Sequence, residues 1–63
     1  MVRVRFFLKS GNEIAVKYDS WDEVDSISDE IIDPVTKLFI LDDDGSKIFL
    51  PTKNIDFVEA TDV

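Results

Sequence analysis

A chain of sixty-three residues with a net charge of −7 and no cysteine or histidine is one small domain with a narrow chemical repertoire. Disulfides and thiolate metal sites are excluded, and so are the commonest transition-metal ligand and the usual neutral-pH proton shuttle. A hydrophobic share of 44%, with five Phe, one Trp and one Tyr, is still enough to build a core against that charge.

At this length folding hides only about 60% of the surface that the unfolded chain exposes, so packing or self-association must supply the stability. No apolar run approaches the roughly 20 residues needed to cross a bilayer. The alternating start Met1-Val2-Arg3-Val4-Arg5 does not resemble a signal peptide. The absence of cysteine fits a reducing compartment. The expectation is a cytoplasmic protein with no membrane contact.

The first segment alternates. Val2, Val4, Phe6 and Leu8 share one side; Arg3, Arg5, Phe7 and Lys9 share the other. A period of two means a half-buried strand. Ser10-Gly11-Asn12 is a turn cluster, and Glu13 to Tyr18 alternates again with Ile14, Val16 and Tyr18 on one face. Two alternating runs about a glycine loop read as a β-hairpin.

A helix signal follows. Ser20 and Glu23 form a capping box, in which the Ser20 hydroxyl takes a first-turn N–H and Glu23 reaches back to the Ser20 N–H. Asp22, Glu23 and Asp25 complement the positive helix end. Trp21, Val24, Ile27 and Ile31 make an apolar stripe, which is core in most proteins. Pro34 closes a helix expected over about Trp21 to Ile32.

Thr36 to Leu41 reads as a strand. Its continuous run Leu38–Leu41 suggests a central strand covered on both faces. Asp42-Asp43-Asp44-Gly45-Ser46 is a hairpin turn, Lys47–Leu50 the returning strand, and Pro51 its end or edge. Asn54–Ala60 is a last short strand with a frayed end. The expected fold is α+β: residues 1–63 form one domain, ββαβββ, with a small antiparallel sheet of four or five strands and one helix on one face.

Charge is polarised along the chain. Arg3, Arg5, Lys9 and Lys17 against Glu13 give residues 1–18 a net +3. Asp19, Asp22, Glu23, Asp25, Asp29, Glu30 and Asp33, with no base among them, give residues 19–33 a net −7. Residues 34–63 carry a net −3 from Lys37, Lys47 and Lys53 against Asp42, Asp43, Asp44, Asp56, Glu59 and Asp62. Such polarity steers partners, and the overall negative charge opposes direct nucleic-acid binding.

Three features are candidate sites. Asp42-Asp43-Asp44-Gly45 has calcium-loop character. With Gly45 on the sixth position of such a loop, however, Ile40 stands first and Pro51 twelfth, where carboxylates are required. A solvated turn is the better reading, and no metal or cofactor is expected. The acidic segment offers paired carboxylates, but acid–base catalysis needs two whose environments push their pKa values apart, usually in a cleft. With no catalytic residue set, no enzyme activity is expected.

The acids Asp19, Asp22, Glu23, Asp25, Asp29, Glu30 and Asp33 instead form either a solubilising helix face or a surface that imitates phosphates in a basic cleft. The basic hairpin face, Arg3, Arg5, Phe7, Lys9 and Lys17 with Ala15, is an ordinary solvent face or a contact surface. Joined to one face of the 38–41 run and to Phe49, it would form a patch suited to a protein partner or a C2 homodimer.

The run Leu38-Phe39-Ile40-Leu41-Asp42-Asp43-Asp44-Gly45-Ser46-Lys47-Ile48-Phe49-Leu50-Pro51 and the ending Ile55-Asp56-Phe57-Val58-Glu59 resemble a pattern found in very small Gram-positive and phage-encoded proteins. The whole chain, small, acidic and without catalytic residue types, is similar in style to phage inhibitors of host enzymes, including anti-CRISPR and DNA-mimic proteins. The resemblance implies a small phage- or prophage-encoded regulator or inhibitor that binds a host protein. Alternatives are an acidic mimic in the basic cleft of a nucleic-acid-handling enzyme, and a homodimeric structural module.

Overall fold

The computed structural model describes residues 1–35, 37–43 and 45–63. Thr36 and Asp44, expected in a strand and in a turn, lie outside the described residues. The alternating first segment forms β1 (Val2–Leu8), which pairs antiparallel with β2 (Glu13–Tyr18) in the register Val2 opposite Tyr18 to Phe7 opposite Glu13. Gly11 in the connecting turn has φ +94°, a conformation that side chains with a Cβ rarely adopt.

Helix α1 runs from Trp21 to Ile32. The Ser20 hydroxyl accepts from the Glu23 N–H at 3.4 Å. Glu23 reaches back one residue further than the sequence suggests, accepting from the Asp19 N–H at 3.2 Å. At the other end the Asp33 carboxylate accepts from the Val35 N–H at 2.9 Å, turning the chain around Pro34.

Two further strands, β3 (Leu38–Asp43) and β4 (Ser46–Pro51), pair antiparallel, with Ile40 opposite Phe49 and Leu41 opposite Ile48. A short 3-10 turn, Thr52–Asn54, leads into β5 (Ile55–Asp62). This strand lies antiparallel on the other side of β1. Far from fraying, it continues past Ala60, and the Val63 N–H donates to the Met1 carbonyl at 2.9 Å.

The α+β class with one helix and antiparallel strands holds, but the single sheet does not. The strands form a three-stranded sheet, β2-β1-β5, and a separate two-stranded sheet, β3-β4. The physical reason is coverage. One twelve-residue helix leaves much of the inner face of β2-β1-β5 open, and the β3-β4 pair packs over part of what is left.

Val2, Val4, Phe6 and Val16 from one sheet meet Phe39, Leu41 and Leu50 from the other, all buried. The Phe6 and Phe39 rings touch at 5.9 Å between centroids, tilted by 39°. Val24, Ile27 and Ile31 of α1 pack against this cluster, whereas Trp21, expected in the same stripe, sits at the first turn and is 47% exposed. The expectation that Leu38–Leu41 is covered on both faces is therefore corrected. Phe39 and Leu41 point into the core, while Leu38 and Ile40 are half exposed on the outside.

Candidate functional site

The outer face of the three-stranded sheet gathers most of the basic hairpin residues. Arg3 stands opposite Lys17 on one side and Thr61 on the other. Arg5 stands between Ala15 and Glu59, and Phe7 between Glu13 and Phe57. The Arg5 Nε donates to the Glu13 carboxylate at 2.6 Å, and its Nη1 to Glu59 at 3.3 Å. The hydrogen bond donated to Glu13 and the nearby charges of Glu13 and Glu59 hold the Arg5 guanidinium above its ordinary pKa.

Arg5 also lies over the Phe7 ring, 5.0 Å from its centroid, and Phe7 stacks on Phe57 at 4.4 Å with 15° between planes. Arg3 and Lys17 make no ion pair among the described residues, and the Arg3 Nε is shielded from solvent without a hydrogen-bond partner there. Lys9 lies outside the paired strand. It follows the end of β1, and its N–H donates to the Asn54 carbonyl at 2.8 Å.

Sequence reasoning missed Phe57, Glu59 and Glu13 as members of this cluster. Glu13 was legible from the hairpin register. Phe57 and Glu59 required the knowledge that β5 returns beside β1, although their own alternation with Thr61 was a signal of a shared face.

The outer face of β3-β4 is different in character. Leu38 and Ile40 are each 50% exposed and Phe49 is 61% exposed. Ile40 and Phe49 are direct cross-strand neighbours, and Leu38 is opposite Pro51. Asp42 and Lys47, paired at 3.8 Å, give this apolar patch a charged end. The suggested union of Phe7 with Phe49 is ruled out, because the two sheets present them on opposite sides of one core.

All seven acids of the 19–33 segment are exposed, but they do not form one surface. At 100° per residue, Asp22, Asp25 and Asp29 line one ridge that Asp33 continues. Glu23 and Glu30 fall on the other flank, towards Tyr18. There, burial, and then the charges of Glu23, Asp42 and Glu30, push the Tyr18 hydroxyl above its usual pKa. Asp19 precedes the cap.

Among the described residues no group of three or more acids is placed to hold a metal ion. No described helix is long and apolar enough to cross a membrane. No protein-family model, curated protein or solved structure matches the chain.

Proposed function

We propose that the chain is a small non-catalytic protein-binding module that regulates or inhibits a partner by direct contact through the outer face of β3-β4. One observation carries this reading: Leu38, Ile40 and Phe49 stand together, half exposed or more, on one face of a regular hairpin. Scattered surface apolar residues are ordinary. An aromatic beside aliphatic neighbours with a charged pair at the edge has the layout of an interface, with an apolar centre and a polar rim. The non-catalytic part rests on the lack of cysteine and histidine and on helix carboxylates that all face water.

A photo-crosslinking amino acid at position 49, and in a second preparation at Ala15, tests the proposal in a bacterial lysate. The expected result is one dominant adduct from position 49 that is missing from Ala15, which sits on the other outer face. Equal adducts from both positions, or none from either, would overturn it. An adduct with a second copy of the chain would replace the separate partner by a homodimer.

The phosphate-mimic reading retains one specific support, the ridge Asp22, Asp25, Asp29 and Asp33. It requires binding to a basic cleft that weakens steeply with salt and disappears when Asp22, Asp25 and Asp29 are reversed to lysine.

A further inference from the structure

The far edge of β5 is the second candidate surface, and it is better specified than the first. β5 ends the order β2-β1-β5, and among the described residues its ladder is with β1 alone. An open edge of eight residues is a template for one more strand. Beside it runs a groove of about 460 Å³ between β5 and α1. Val24, Ile27 and Ile31 of the helix form one wall, and Ile55, Val58 and Ala60 of β5 form the other. A strand laid along this edge would direct every second side chain into that apolar groove, and the alternate ones to the outer face.

Charge selects the occupant. Asp56 is the one charged residue among the described groove-lining residues. It is also the extra residue where the β1–β5 register shifts, between Phe7 opposite Phe57 and Leu8 opposite Ile55. On the helix, Ser28 and Ile32 line the groove, and Asp25 and Asp29 stand three residues before each, one ridge further out. Asp62 shares the inner face of β5 with Val58 and Ala60, while Glu59 stands on the outer face. The acids on the groove side set a negative field along this edge, and Glu59 stands on the outer face, where the alternate side chains of an added strand would point.

A second copy pairing β5 to β5 would set these carboxylates against each other, so self-association at this edge is disfavoured. The opposite edge of β5 already shows what fits. It holds β1, a strand of alternating apolar and basic residues, with Val4 and Phe6 inside and Arg5 bonded to Glu59 at 3.3 Å outside.

We propose that the free edge of β5 and the groove beside α1 bind an extended peptide segment of alternating apolar and basic residues by strand addition. This goes beyond the function proposed above and shares with it only the premise that the chain acts by contact.

The probe is a capped eight-residue peptide of alternating valine and arginine. Its controls are a valine–glutamate counterpart and a block-ordered peptide of the same valine–arginine composition. Amide hydrogen exchange of the folded, full chain is the readout. The expected result is slowed exchange at alternate β5 amides with the alternating cationic peptide only. Binding should weaken about threefold in the Glu59→Gln variant, because Glu59 is the β5 carboxylate on the outer face to which the alternate arginines point.

Equal binding of the glutamate peptide, unchanged affinity in the Glu59→Gln variant, or exchange changes at Ile40 and Phe49 in place of β5 would each overturn the proposal. No binding at all would do the same. If position 49 still cross-links a partner in those cases, the β3-β4 reading stands without this one.

Discussion

The two outer sheet faces cover the same core from opposite sides and solve exposure in opposite ways. On β2-β1-β5, Phe7 is stacked on Phe57, and Arg5 is held between Glu13 and Glu59 while lying over Phe7. These groups satisfy one another within the chain. On β3-β4, Ile40 and Phe49 are cross-strand neighbours, Leu38 stands opposite Pro51, and the exposed Asp42–Lys47 pair marks the edge. Strand parity alone decides which side chains leave the core. Whether an outward face is free to bind depends on what the neighbouring strands place beside it. The three-stranded face is closed at its Arg5–Phe7 end and open at Arg3 and Lys17, where like charges stand directly opposite.

The largest expected effect comes from breaking what the two faces share. Phe6 is fully buried and touches Phe39 across the sheets. Phe6→Ala should cost about 3–5 kcal/mol. A domain of this size holds roughly 3–9 kcal/mol in total. Circular dichroism and urea titration should show a chain largely unfolded or close to it.

Next in size is the contrast between the two exposed phenylalanines. Phe57→Ala removes a stacked partner, and the stacking alone is worth about 0.5–1.5 kcal/mol. Phe49→Ala removes only a cross-strand neighbour of Ile40, with about 0.2–1 kcal/mol at stake. Urea midpoints should fall further for Phe57→Ala, and the reverse order would mean that the β3-β4 face is the one that holds the fold. Arg5→Gln should have a smaller effect than Phe57→Ala, because its ion pairs are solvent-exposed, and added salt should shrink the difference from wild type.

The smallest effect concerns pH. The Tyr18 hydroxyl, raised above 10.0 chiefly by burial, binds its proton more tightly in the folded chain than in the unfolded one. Its contribution is complete below the unfolded value and is lost as pH rises from there through the higher folded value. Stability measured above pH ~10 should therefore decline, and Tyr18→Phe should flatten that part of the curve.

The local elements were readable from short-range signals. The alternation of Val2 to Leu8, the cap at Ser20 and the stripe Trp21, Val24, Ile27 and Ile31 each became the expected strand or helix, although Trp21 stays half exposed. What could not be read was set by long-range pairing. Arg5 meets Glu59 across 54 positions, and no periodicity within either segment announces that meeting. The run Leu38–Leu41 misled for a similar reason: four apolar residues in a row show that both faces are apolar, not that both are covered. The acids of 19–33 were all visible in the sequence, but only the helix turn sorts them into a solvent ridge and a flank beside Tyr18.

The most direct test replaces Ile40 and Phe49 together by threonine, a residue that keeps strand propensity and pairs well across strands. Urea unfolding and photo-crosslinking from an adjacent outer-face site, position 38, are then measured on the same preparation. The expected result is a stability loss below about 1 kcal/mol together with disappearance of the partner adduct. A loss of several kcal/mol, or an undiminished adduct, would contradict the assignment of this face to binding.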